Sequence, residues 1–142
     1  MLLQKKKTKI KMINYFTWGE FDKSVEQIAN KCRFKDFSGI YGVPRGGLCL
    51  AVALSHKLKI NLISEPKKNS LIVDDIYETG ITLNNLRDIE GATFFVLFSK
   101  VKPIWWNTVF ISKKSEWIAF PWENTLTSHS DRNEYIKRRG IS

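Results

Sequence analysis

Two adjacent carboxylates, Asp74 and Asp75, end an apolar run, Leu71-Ile72-Val73, and Thr79-Gly80-Ile81-Thr82 comes soon after them. Paired carboxylates hold sugar hydroxyls or a hard cation, because both call for oxygen acceptors. A turn of Thr, Gly and Thr that opens a helix offers backbone N–H groups, two hydroxyls and the positive end of the helix dipole to an anion. Phosphate at one end and a hydroxylated sugar at the other describe a ribose 5-phosphate. A second turn, Pro44-Arg45-Gly46-Gly47, follows the apolar stretch Ile40-Tyr41-Gly42-Val43. Adjacent glycines let backbone amides approach an anion closely, and Arg45 adds a fixed fork of donors. Each turn also has a plainer reading: acids at a strand end before Thr-Gly can form an ordinary capped turn, and many α/β proteins carry Gly at such turns.

The surrounding pattern supplies elements that would position these residues. Leu71-Ile72-Val73 reads as a buried strand of a parallel sheet, whose carboxyl end is where open α/β sheets bind ligands. Residues 12–16 read as a short strand or an extended lead-in. Thr17 and Glu20 fit a capping box, and Trp18, Phe21, Val25, Ile28, Ala29 and Cys32 form one helical stripe that packs on a core. Ile40-Tyr41-Gly42-Val43 predicts a strand and Leu48 to Leu58 a helix; Lys59 to Ile63 predicts a further parallel strand. Leu83, Leu86 and Ile89 predict a short helix ending near Gly91, followed by a β-forming run from Ala92 to Phe98. Ser99-Lys100 closes that run on the side of the two turns. Lys102-Pro103-Ile104-Trp105-Trp106 reads as a loop with exposed aromatics, a candidate subunit contact. Residues 109–112 and 116–120 complete the β content.

A chain of 142 residues with 43% hydrophobic content is suited to one folded domain rather than a disordered chain. The expected organisation is a basic arm over residues 1–14, a folded domain over 15–124 that holds both turns, and a charged tail or helix over 125–142. No apolar run approaches the roughly 20 residues of a membrane span, and the basic start lacks the apolar stretch of a signal peptide. Cys32 and Cys49 fall on predicted helices without metal-ligand or disulfide spacing, so they read as reduced, buried thiols of a cytoplasmic protein. Five lysines between Lys5 and Lys11 carry more than half of the net charge of +9. That arm reads either as a contact for nucleic acid or anionic membrane, or as a solvated end attracted to polyanionic substrates, the commoner outcome. His56 and His129 read as surface residues.

Val73-Asp74-Asp75-Ile76-Tyr77-Glu78-Thr79-Gly80-Ile81-Thr82 resembles the phosphoribosyl pyrophosphate (PRPP) motif of the type I phosphoribosyltransferases, and Trp117-Ile118 followed by Pro121-Trp122-Glu123 resembles the base-binding segment of the xanthine–guanine enzymes. The resemblance covers about Tyr15 to Glu123. It implies an α/β fold with a central, mostly parallel sheet flanked by helices, and transfer of ribose 5-phosphate from PRPP to a 6-oxopurine (guanine, xanthine or hypoxanthine) in purine salvage. It further implies Mg²⁺ and a homo-oligomer, dimer or tetramer, with neither membrane nor nucleic acid as partner. In these roles Asp74 and Asp75 hold the ribose hydroxyls and the metal, Glu78 handles the proton at the purine N7, and Thr79, Gly80, Ile81 and Thr82 hold the 5-phosphate. Pro44, Arg45, Gly46 and Gly47 hold pyrophosphate. Lys100 meets the 6-oxo oxygen, Trp117 stacks on the base, the backbone of Ile118 reads its edge, and Glu123 contacts the exocyclic substituent or braces the loop.

The chain departs from the family at two places. Most members carry a long mobile hood before the central strand, where this chain has about seven residues, 64–70, with Lys67 and Lys68 either reaching a phosphate or lying in a solvated turn. Glu78 is one methylene longer than the relatives' usual Asp. The short hood favours a second reading, a non-catalytic PRPP- or nucleotide-binding regulatory protein of the same fold, which the retained Glu78, Lys100 and Trp117 oppose. A nucleic-acid binder using the basic arm is the third.

Overall fold

The computed structural model describes residues 12–123; the expected basic arm up to residue 11 and the tail from 124, with His129, lie outside them. The chain forms two compact units. Gly19–Ser112 make the larger, and residues 12–18 and 113–123 are the described part of the smaller.

The larger unit is built on four parallel strands in the order β2-β3-β4-β5, namely Ile40–Gly42, Leu71–Tyr77, Thr93–Ser99 and Asn107–Ile111. All seven residues of β3 are buried, as befits a central parallel strand covered on both faces. Helix α1, Trp18–Cys32, begins directly after Thr17 and buries Phe21, Val25, Ile28, Ala29 and Cys32, the predicted stripe beyond Trp18. Helix α2, Leu48–Leu58, packs on β2 and β3 through a face that includes Leu50, Ala51 and Leu54. One face of the sheet carries a core of Val43, Ile72, Tyr77, Leu83, Phe94, Val96 and Trp106. The mostly parallel, helix-flanked α/β class is as expected from the sequence.

Three local expectations are corrected. Residues 59–63 make an isolated parallel bridge, Ile40 to Leu62, instead of a strand. Lys59 ends α2 in the left-handed conformation (φ 57°), the Ile60 N–H donates to the Ser55 carbonyl (3.2 Å), and the Ser55 hydroxyl donates to the Ile60 carbonyl. Both backbone groups of Ile60 are thus spent on the helix end, and only Asn61 to Ile63 remain for the sheet. Next, helix α3 covers only Ile81–Asn84. Beyond it the N–H groups of Leu86, Arg87, Ile89 and Ala92 each donate to the carbonyl three residues back, so the three-residue spacing of Leu83, Leu86 and Ile89 serves a succession of tight turns. Finally, the aromatics of 102–106 are not exposed. Trp106 is buried against Tyr77, Trp105 packs edge-on to Phe94 at 5.1 Å, and Ile104 is the exposed member. Large rings bury the most area, which draws both indoles onto the core.

The smaller unit pairs β1 (Met12–Tyr15) with β6 (Glu116–Ala119) in parallel. The Phe16 N–H extends this ladder to the Ala119 carbonyl (3.0 Å). Phe16 meets Phe120 edge-on at 6.0 Å, and Phe120 stacks on Trp122 at 4.9 Å.

Candidate functional site

The chemistry-bearing residues of the larger unit gather at the carboxyl ends of β2, β3 and β4. Strand β2 ends at Gly42 and hands the chain to a loop, 43–47, that folds back onto β3. The Val43 N–H donates to the Val73 carbonyl (2.9 Å), and the Gly47 N–H donates to the Val43 carbonyl (2.8 Å). Gly46 and Gly47 are demanded by this approach. A Cβ on Gly46 would fall on the Asp75 carboxylate, and one on Gly47 would lie 2.5 Å from the Val73 carbonyl oxygen. The fold therefore sets the expected pyrophosphate loop directly against an expected ribose carboxylate. Pro44 and Arg45, joined by a cis peptide bond, are exposed at the tip of this loop.

Asp74 and Asp75 are nearly inaccessible, at 2% and 8% exposure. The Asp74 Oδ1 accepts the Asp75 N–H (2.8 Å), which steers that carboxylate. Successive strand side chains leave on opposite faces, so Asp75 is the member that meets the glycine loop. Glu78 is half-buried just beyond β3 and Thr79 is exposed. Gly80 adopts φ 78°, and the first helical bond runs from the Asn84 N–H to the Gly80 carbonyl (2.8 Å). The Ile81 N–H makes a long contact to Thr79 Oγ1 (3.4 Å). Ile81 is exposed and Thr82 half-buried. A helix of one turn sums few peptide dipoles, so the macrodipole expected to attract phosphate is small, and local N–H and hydroxyl groups are what this turn could offer an anion.

Lys100 follows β4 and is buried at 7% exposure, which rules out a plain surface charge. Its N–H donates to the Tyr77 carbonyl (2.8 Å), joining it to the end of β3. Lys67 and Lys68 sit in an exposed turn, where Lys68 pairs with Glu90 at 3.3 Å. Cys32 is buried and Cys49 only half-buried, both are free thiols, and burial pushes both thiol pKa values up. His56 is exposed, as read from the sequence.

Trp117, Ile118 and Glu123 belong to the smaller unit. Trp117 is half-buried and registered opposite Ile13, Ile118 is buried, and Glu123 closes a turn by accepting the Phe120 N–H at 2.9 Å while its own N–H donates to the Phe120 carbonyl (3.0 Å).

No group of three or more His, Cys, Asp or Glu side chains suited to a metal occurs among the described residues. Mg²⁺ needs no such cage: it is held by one or two carboxylates together with substrate phosphates and waters, and the Asp75 carboxylate beside the glycine loop is a donor of that kind. Sequence reasoning gave Tyr77 no role and read Trp106 only as an exposed aromatic, because the stack between them joins residues 29 positions apart.

Among solved structures, the purine phosphoribosyltransferase of Pyrococcus horikoshii superposes with a TM-score of 0.67 at 30% identity, covering 79% of this chain and 94% of that one. This chain belongs to the type I phosphoribosyltransferases. It is therefore an enzyme of the glycosyltransferase class. The xanthine–guanine phosphoribosyltransferases of Idiomarina loihiensis and Gluconobacter oxydans are 24% and 27% identical to it. Those alignments cover 79% and 75% of this chain, and 88% and 82% of the relatives. No protein-family model matches the chain. Residues 64–70 form a short connection in which the Ser70 hydroxyl donates to the Lys67 carbonyl (2.6 Å).

Proposed function

We propose that this phosphoribosyltransferase transfers the 5-phosphoribosyl group of PRPP to a 6-oxopurine, guanine, xanthine or hypoxanthine, and releases pyrophosphate in purine salvage. The observation that carries this reading is the packing of Gly46 onto the Asp75 carboxylate, with the Thr79–Thr82 turn a few residues beyond. Pyrophosphate, ribose and 5-phosphate then have adjacent sites along one PRPP molecule. The family resemblance and the purine-specific names of the relatives support the choice of base.

In this reading a purine nitrogen forms a bond to the anomeric carbon as the bond from that carbon to the pyrophosphate oxygen breaks. The ribose ring gains positive charge in passing, and the leaving group departs with the electron pair. Arg45 and the amides of Gly46 and Gly47 stabilise that leaving group. Asp74 and Asp75 orient the ribose through its hydroxyls, and Thr79, Gly80, Ile81 and Thr82 fix its 5-phosphate. Glu78 accepts the proton at N7. Lys100 donates to the 6-oxo oxygen, Trp117 stacks on the ring, the Ile118 backbone reads its edge, and Glu123 braces the segment or meets the exocyclic group. Mg²⁺, held by Asp74 and Asp75 with the substrate's oxygens, would supply charge neutralisation of the pyrophosphate.

The domain assignment of 15–124, an oligomer of two or four copies and a cytoplasmic location belong to the same proposal. Exposed Ile104 and Ile111 support assembly, and free cysteines support a reducing compartment. The short 64–70 segment favours a second reading, a non-catalytic PRPP- or nucleotide-binding regulator. Incubation of the purified protein with PRPP, Mg²⁺ and each of guanine, xanthine, hypoxanthine and adenine, with pyrophosphate and nucleotide quantified, separates them. Nucleotide from a 6-oxopurine is expected. PRPP binding without turnover selects the regulator, and turnover with adenine alone overturns the base assignment.

A further inference from the structure

Tyr77 is held at three points, one of them the Thr79–Thr82 turn. Its hydroxyl lies against Gly80, since a Cβ on that glycine would meet the Tyr77 oxygen. Its ring stacks on Trp106 with centroids 3.7 Å apart and planes 11° from parallel. Its carbonyl accepts the Lys100 N–H (2.8 Å). Trp106 is itself anchored: the indole N–H donates to Ser99 Oγ (3.2 Å), and the Ser99 hydroxyl donates to the Val101 carbonyl. Trp105 closes the cluster edge-on to both rings, at 6.2 Å from Tyr77 and 5.2 Å from Trp106, with the Arg87 guanidinium over its own face at 5.2 Å. A rigid, multiply fixed ring thus abuts the one residue of the Thr79–Thr82 turn that has a left-handed backbone.

We propose that Tyr77 is a positioning residue for phosphate binding: wedged between Trp106 and Gly80, it holds the Thr79–Thr82 turn in its anion-binding shape before substrate arrives. A turn that is already ordered does not spend binding energy on becoming ordered. This matters in a chain whose short 64–70 segment offers little to fold over the donor. The proposal rests on the reading of Thr79–Thr82 as the 5-phosphate site.

The test is calorimetric titration of the full-length protein and its variants with ribose 5-phosphate, which carries the 5-phosphate alone, and separately with pyrophosphate. Tyr77→Phe keeps the stack and removes the hydroxyl from Gly80; Tyr77→Leu removes both. Ribose 5-phosphate is expected to bind about threefold more weakly to Tyr77→Phe and about tenfold more weakly to Tyr77→Leu, with pyrophosphate affinity unchanged. Equal losses for the two probes would mark a general structural role and overturn the proposal. Thr82→Val serves as the reference. If it weakens ribose 5-phosphate while both Tyr77 variants bind normally, the positioning role is wrong and the phosphate site stands. If Thr82→Val also binds normally, the phosphate site itself is wrong and the proposal goes with it. Should Tyr77→Leu fail to fold, Tyr77→Phe decides alone, and unaltered affinity in it refutes the role.

Discussion

Gly46 and Asp75 constrain each other closely, because no side chain fits between the loop backbone and the carboxylate. Gly46→Ala is therefore expected to displace the loop or the carboxylate and to lower PRPP affinity at least about tenfold, or 1.4 kcal/mol. Titration calorimetry with PRPP and Mg²⁺ reads this directly, and wild-type affinity in that variant would mean that the contact is irrelevant to substrate. Trp117 calls for the opposite pattern. Trp117→Ala should cost about 1–3 kcal/mol of base binding, the usual value of an aromatic stack on a nucleobase, and leave PRPP affinity nearly intact. Parallel losses of both ligands would assign Trp117 to folding. The acids Asp74 and Asp75 were legible from their place after a dense apolar run, although β3 continues past them to Tyr77. The intimacy of Asp75 with Gly46 was not, since they lie 29 positions apart and are brought together by the pairing of β2 with β3 and by the Val43 bond to Val73.

Among the elements, β3 was the most legible, because a dense apolar run ending in acids leaves few alternatives for a strand in a parallel sheet. Helices α1 and α2 were equally plain from their apolar stripes. The short helix and the strand over 59–63 were misread for one shared reason: hydrogen-bond competition at chain turns is not encoded in apolar spacing. Helix α1 also carries a testable titration. Burial holds the Cys32 thiol pKa above its ordinary value, with Lys35 opposing in part, so the folded chain keeps that proton more tightly than the unfolded chain. Its contribution to stability is then fully present below the unfolded thiol pKa of about 8.5 and is lost as pH rises beyond it. Thermal melts between pH 7 and pH 10 should show a declining midpoint, and Cys32→Ala should flatten the decline near the thiol range. An identical pH profile for the variant would mean that other groups govern it. Tyr77, also raised by burial, acts in the same direction but only above about pH 10.

For the molecule as a whole, the net charge of +9 meets a substrate that carries several negative charges. Long-range attraction of this kind is screened within about 8 Å at an ionic strength of 0.15 M. The KM for PRPP is accordingly expected to rise with added salt while the KM for the uncharged base stays level. A KM for PRPP that is indifferent to salt would show that the surface charge plays no part in capturing it. The same charge supports no claim of nucleic-acid binding, since a positive chain attracts small polyanions by the same physics.

The order of apolar runs, glycine turns and acids pointed to a parallel α/β fold with an anion site, and the resemblance of Val73 to Thr82 to the PRPP motif pointed to a phosphoribosyltransferase, because both are carried by contiguous residues. Contacts between distant stretches were beyond their reach. The wedge of Tyr77 between Trp106 and Gly80, the burial of Lys100 and the retreat of Trp105 and Trp106 from solvent each arise when separate segments compete for the same interior volume. Close packing settles that competition among all segments at once, and no local pattern in the chain announces the result.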